Sequence, residues 1–222
     1  MLIRTYVFDA YGTLFDFASA AEACADLSAA ERAALTALWR DKQMQYSWLL
    51  AAQGLRSDFW RVTGDALDYA LESLGIGRPG LRDRLMNLYL HLETFPEVPE
   101  VLSRLKDLGF VTAILSNGTD RMLDAAVKAA GLERCLDAVL SVDAVGVFKP
   151  HPKVYQLAVD RLGVAPAQIS FQSSNGWDAH AAASFGMQAV WCNRYRQKRE
   201  RLPGVLAAEI ASLSEMPVLI AR

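Results

Sequence analysis

A chain of 222 residues is long enough for one sizeable core, or for one core with a small accessory domain. With 52% hydrophobic and 22% charged residues, a formal net charge of −2 and no apolar run of ~18 residues, it excludes a disordered chain, a membrane-spanning helix and a broadly basic nucleic-acid binder. Cys24, Cys135 and Cys192 are too scattered for a disulfide framework or a thiolate metal site, and residues 1–8 hold nothing like a secretory leader, so a cytoplasmic location is expected.

Residues 3–8 (IRTYVF) are a β-rich run closed by Asp9 and a turn containing Gly12, which predicts the first strand. From about residue 17 to 91 the pattern is helical, with Ser28 and Glu31 spaced as a capping box, Ser57 as a second N-cap, and breaks at 53–57 and 75–80. Beyond Pro96 and Pro99 the pattern alternates. It predicts a helix to 108, strand 111–115, helix 121–130, strand 138–141, helix 153–162, strand 169–172, helix 179–185 and strand 188–191. Repeated strand–helix units give an α/β fold, a Rossmann-like parallel sheet covered on both faces. The helical block interrupts it after the first strand, so the expected division is a core of residues 1–15 and 96–222 and an inserted all-helical cap domain of residues 16–95. Arg194, Arg196, Lys198, Arg199 and Arg201 form a basic run that reads as a solvated loop.

Ligands of open α/β sheets bind beyond the carboxyl ends of the strands. Asp9, Ser116 with Asn117, the 147–150 loop with Lys149, and Ser173 to Asp178 all fall there. Each has a plainer use when taken alone: Asp9 as a turn former, Ser116 and Asn117 as helix caps, Lys149 as a solvated lysine held extended by Pro150, and the SSNGWD run as a helix start. Arg40 follows Ala33 and Ala37 and precedes Met44 on one helical stripe, an otherwise apolar face on which a guanidinium needs an anion. Asp41, Glu72 or a substrate could supply it. His91, His151 and His180 lack metal-ligand spacing, and no Gly-rich phosphate loop or G-x-S-x-G elbow occurs.

In order, FDAYGTL at 8–14, LSNG at 115–118, FKPHPKVY at 148–155 and FQSSNGWD at 171–178 resemble the haloacid dehalogenase superfamily, and with LWRDKQMQYSWL at 38–49 they are most similar to its L-2-haloacid dehalogenases. Phosphatases of that superfamily carry a second Asp two residues after the nucleophile and an acidic residue in the last motif; Tyr11 and Ser174 stand there instead. An acid for an alkoxide leaving group and a charge for Mg²⁺ are thus missing, whereas a halide leaves without a proton. The resemblance implies an (S)-2-haloalkanoate as substrate, halide as product, no metal and no other cofactor.

By the same resemblance Asp9 attacks C2 with inversion, and Arg40, Asn117 and Trp177 receive the halide. Ser116 and backbone amides hold the substrate carboxylate. Lys149, oriented by Tyr155 and Ser173, pairs with Asp9, while Thr13 and Asn175 fix its geometry. A water near Asp178 hydrolyses the ester, with Asp178 or Lys149 as base. Tyr11, Met44, Phe59 and Trp177 wall the alkyl group. Two positions depart from relatives: Asp41 beside the arginine, and Gln172 before the double serine. A homodimer is expected, with neither nucleic acid nor membrane as partner. The alternatives are a metal-dependent phosphatase or phosphonatase, marked by Mg²⁺-dependent turnover, and a non-catalytic protein retaining the fold, marked by no adduct on Asp9.

Overall fold

The computed structural model describes residues 2–220. Its centre is a six-stranded sheet of β1 (Thr5–Phe8), β2 (Val111–Ser116), β3 (Ala138–Ser141), β4 (Ile169–Ser173), β5 (Gln188–Cys192) and β6 (Ala208–Ile210). The order is β3-β2-β1-β4-β5-β6 and every pairing is parallel. Parallel strands covered on both faces read as continuous apolar runs, and all of β1 is buried for that reason. The chain adds strands on one side of β1 and then on the other, so β1 and β4 border the crevice where such sheets bind ligands.

Between β1 and β2 lie α1 (Ser19–Glu22), α2 (Ala29–Gln53), α3 (Phe59–Leu74), α4 (Leu81–Tyr89) and α5 (Val98–Asp107). The later connections carry α6 (Asp120–Ala129), α7 (Pro152–Leu162) and α8 (Gly176–Phe185), and α9 (Pro217–Ile220) ends the described chain. Helix α2 starts at the expected capping box: Ser28 Oγ accepts from Glu31 N at 3.2 Å and Ser28 N donates to Glu31 Oε2 at 2.8 Å. Such a cap contributes about 1 kcal/mol. The helix is stopped at Gly54, whose φ of +66° suits glycine.

Helices α2 and α3 join through Trp39, whose buried indole Nε1 donates to Thr63 O at 2.8 Å. Rings tie this pair to the sheet loops. Tyr11 stacks on Tyr89 with centroids 5.4 Å apart and lies 6.1 Å from Phe59, which itself meets Phe148 at 5.8 Å.

Five expectations about elements are corrected. The N-cap of α3 is Asp58, not Ser57: its carboxylate accepts from Arg61 N at 2.7 Å, a shorter and charge-assisted cap. The first strand begins at Thr5 rather than residue 3. Helix α8 begins at Gly176 rather than 179, so Trp177 and Asp178 sit in its first turn. Strand β6 carries only three residues, Ala-Glu-Ile, too few to show an apolar period. Finally, Arg194 is not solvated: its side chain is 9% exposed, over the Phe95 ring, paired with Glu97 and donating to Thr13 O at 2.9 Å.

Candidate active site

Asp9 is the residue after β1, and β1 is in register with both neighbours, Phe8 opposite Ile114 and opposite Gln172. Asp9 N donates to Gln172 O at 2.9 Å, which extends the ladder and fixes the carboxylate at the strand end. The side chain is used by other side chains rather than by turn amides. Asn175 Nδ2 donates to Asp9 Oδ2 at 2.7 Å, Thr13 Oγ1 at 3.1 Å and Ser173 Oγ at 3.5 Å, while Lys149 Nζ donates to Oδ1 at 3.0 Å. Gly12, with φ of +88°, makes the turn that brings Thr13 back.

Lys149 is held at its backbone, where its N donates to Asn117 Oδ1 at 2.9 Å. Its ammonium is 1% exposed and bridges Asp9 to Asp178, the second contact being 2.8 Å. Burial works against that charge, but the two carboxylates outweigh it and the Lys149 pKa stands above the ordinary lysine value. Burial likewise lifts the Asp178 carboxyl, with the Asp9 charge adding to the lift and Lys149 and the Tyr155 hydroxyl pulling against it. Tyr155 Oη donates to Asp178 Oδ1 at 2.7 Å, and burial, then the Asp178 charge, push the phenol far up. Tyr155 and Ser173 thus do not orient Lys149 directly: Tyr155 bonds Asp178, and Ser173 bonds Asp9.

The plainer uses of these residues are taken elsewhere. Thr119, not Ser116 or Asn117, caps α6, its Oγ1 accepting from Met122 N at 3.2 Å. Asn175 occupies the N-cap position of α8 but makes no side-chain cap; its amide donates to Asp9 and to Tyr11 O. Ser116 Oγ accepts from Gly118 N at 3.1 Å.

Arg40 enters from α2. Nη1 donates to Gln43 Oε1 at 2.8 Å, and Nη2 to Tyr11 O and Asn175 Oδ1, each at 3.3 Å. Neither Asp41, which is exposed, nor Glu72 is among these partners, and all three acceptors are neutral. The expected apolar stripe is corrected: Ala33 and Ala37 are exposed, and the buried line is Leu35, Trp39, Gln43 and Ser47. Asp9, Tyr11, Arg40, Met44, Phe59, Ser116, Asn117, Lys149, Asn175 and Trp177 line one cavity. A wider crevice shares Arg40, Met44, Asn175 and Trp177 with it and adds Phe17, Leu38 and Trp48.

Sequence reasoning missed Gln43, Thr63 and Tyr89, buried behind Arg40, and Arg194, whose guanidinium holds the Thr13 carbonyl. The i, i+4, i+8 line of Leu35, Trp39 and Gln43 is the signal that could have found Gln43. Gln172, the departure from relatives, is fully buried, with its Nε2 donating to Ser170 Oγ at 2.7 Å and its Oε1 without a partner among the described residues. Among those residues no group of three or more His, Cys, Asp and Glu is arranged to hold a metal ion, and no helix is long and apolar enough to cross a membrane.

Residues 3–186 match the family model of haloacid dehalogenase-like hydrolases. The chain is 45% identical to (S)-2-haloacid dehalogenase 4A of Burkholderia cepacia over 99% of its own length and 96% of that protein. It is 43% identical to (S)-2-haloacid dehalogenase 1 of Pseudomonas sp. strain CBS-3, over 99% and 97%. The solved structure of the L-2-haloacid dehalogenase of Xanthobacter autotrophicus with chloropropionic acid covalently bound superposes with a TM-score of 0.89, at 36% identity and 99% of both chains. With a family match over most of its length and relatives this similar end to end, the chain belongs to the haloacid dehalogenase-like hydrolases.

Proposed function

We propose that the protein hydrolyses (S)-2-haloalkanoic acids to (R)-2-hydroxy acids and halide through an ester on Asp9. The observation that carries this reading is the cavity in which the carboxylate of Asp9 and an arginine with only neutral partners form one lining, with Tyr11 where an acid would serve a phosphate ester. Oδ2 of Asp9 is occupied by Asn175 and Thr13, leaving Oδ1, bonded to Lys149 alone, as the attacking oxygen. It forms the bond to C2 as the halide leaves opposite with the electron pair of the carbon–halogen bond. Arg40, Asn117 and the Trp177 ring edge receive the halide. Ser116 and the amides near Asp9 and Tyr11 hold the substrate carboxylate, and Tyr11, Met44, Phe59 and Trp177 enclose the alkyl group.

Water then attacks the ester carbonyl and restores Asp9. Asp178 takes the water's proton and returns it to the alkoxide oxygen as the acyl–oxygen bond breaks and the 2-hydroxy acid leaves: burial makes it a stronger base than an ordinary carboxylate, whereas Lys149, with its raised pKa, stays protonated. No metal or cofactor takes part in this scheme. In the same reading residues 16–95 act as a cap over a core of 1–15 and 96–222, and the protein works as a cytoplasmic homodimer. Exposed Trp48, Leu49, Leu55 and Tyr69 support self-association, which light scattering tests.

The decisive experiment mixes the protein with (S)-2-chloropropionate and maps peptides by mass. Halide release that survives EDTA, favours the S enantiomer and vanishes in Asp9→Ala, with a transient adduct on the peptide holding Asp9, is expected. Turnover abolished by EDTA, or an adduct elsewhere, overturns the reading.

A further inference from the structure

The Arg40 guanidinium is the head of a buried chain of hydrogen bonds with one possible direction. Arginine only donates, so the Gln43 atom 2.8 Å from Nη1 is the oxygen, which fixes the amide. The Gln43 nitrogen then faces Thr63 Oγ1 at 2.7 Å, with Tyr89 Oη at 3.1 Å as its second acceptor. Thr63 Oγ1 can accept because its own proton goes to Phe59 O at 2.6 Å. Gln43 is 1% exposed and Thr63 is fully buried, and Trp39 Nε1 closes the set on the Thr63 carbonyl. The line from Arg40 through Gln43 and Thr63 to Phe59 O thereby runs in one sense only, while the Tyr89 hydroxyl also lies 3.3 Å from Gln43 Oε1, to which it donates. Polarity in such a chain is mutual, each bond strengthening the next.

From this arrangement we infer that Gln43 and Thr63 are positioning residues for the halide-receiving arginine, and that a neutral amide stands at 43 so that Arg40 is aimed without being neutralised. A carboxylate there would hold the guanidinium equally well and take up its charge; an apolar residue would leave it unaimed. Thr63 neither lines the cavity nor bonds Arg40; its hydroxyl bonds Gln43 and the backbone carbonyl of Phe59, so it reaches the guanidinium through Gln43. The inference rests on the proposed dehalogenase reading, and its test is separable from that reading because halide binding can be measured without turnover.

The test compares wild type, Thr63→Val, Thr63→Ser and Gln43→Glu by calorimetric titration with bromide and by single turnover with 2-chloro- and 2-bromopropionate. Thr63→Val, close in shape, is expected to weaken bromide binding and slow ester formation about 10- to 100-fold, the range for a misaimed group. KM should change little, and the chloride substrate, with the poorer leaving group, should lose more than the bromide substrate. Thr63→Ser should restore binding and rate. Gln43→Glu should abolish bromide binding while its melting temperature is kept or raised, an outcome that a purely structural role does not give. Unaltered bromide binding in Thr63→Val, or no rescue by Thr63→Ser, overturns the inference. Should wild type bind bromide through this chain yet release no halide from 2-haloacids, the positioning stands and the dehalogenase reading falls.

Discussion

Replacing Lys149 by Met removes the one cation between two buried carboxylates. Its ammonium lies 3.0 Å from Asp9 and 2.8 Å from Asp178, with side-chain exposures of 1%, 9% and 0% for the three groups. At an effective dielectric of about 20 each contact is worth roughly 6 kcal/mol before desolvation. The variant no longer buries the ammonium, and that relief offsets part of the loss, so a net deficit of about 3–5 kcal/mol is expected at pH 8. Without the lysine, the Asp178 carboxyl, already raised by burial, loses the cation that pulls against that rise, so its folded pKa stands further above its unfolded one. Stability tied to a raised acid is full below the unfolded pKa and is lost as pH rises through the folded value. The deficit against wild type should therefore be small near pH 4.5 and largest at pH 8. Urea unfolding of both proteins at the two pH values measures it. A deficit independent of pH, or one below about 1 kcal/mol at pH 8, would refute the bridging role assigned to Lys149.

Other perturbations read different parts of the site. A Cβ on Gly118 would lie 2.9 Å from the Tyr11 ring and 3.1 Å from Leu123, both buried, so Gly118→Ala is expected to lose about 1–3 kcal/mol by urea unfolding and to raise KM as Tyr11 moves into the cavity. In Tyr155→Phe the Asp178 anion loses a donor, so the acid limb of the kcat profile should move to higher pH; an unmoved limb would mean that Asp178 does not control it. Arg194→Leu leaves the half-buried Glu97 without its cation. Burial raises the Glu97 carboxyl, yet backbone and Arg194 contacts outweigh it and hold the pKa below the ordinary value. The wild-type advantage over Arg194→Leu should hold at neutral pH and fade as pH falls through that lowered value, which thermal melts across pH 3–7 would follow.

Asp9, Asn175 and Asp178 were legible in the sequence because each follows within five residues of a strand end, and parallel strands bring such ends together whatever the packing of the helices; Lys149, in a loop eight residues past β3, was read from the proline after it, and Thr13 from the family motif alone. Arg40 was legible only in part. The resemblance named it and it lines the cavity with Asp9, but the stripe used to support it was wrong, since Ala33 and Ala37 face solvent. Gln43, Thr63 and Tyr89 stayed hidden because their roles exist only once α2, α3 and α4 are packed, from positions 43, 63 and 89. The Ser57 and Asp58 choice turned on one residue of register, which helical propensity does not resolve. Arg194 lay in a basic run whose composition suggested water; a carbonyl, a carboxylate and a ring decided otherwise.

Arg40 is the only one of the residues proposed for chemistry that comes from the helices between β1 and α5, while the nucleophile, its lysine and the base hang from the sheet. In the proposed scheme displacement at carbon has two ends: the one that forms a bond hangs wholly from the sheet, while the departing group is met from both sides, by Arg40 of α2 and by Asn117 and Trp177 of the sheet side. Exchange of residues 29–89 with those of a relative would replace the helical half of the departing group's surroundings as one piece, with its internal hydrogen bonds intact, and would leave Asn117 and Trp177 in place. Only Tyr11 O and Asn175 Oδ1 would need to meet the new arginine, since they are the sheet-side acceptors it uses. On the proposed scheme, that helical half of the halide site is exchangeable between relatives without redrawing the attack itself.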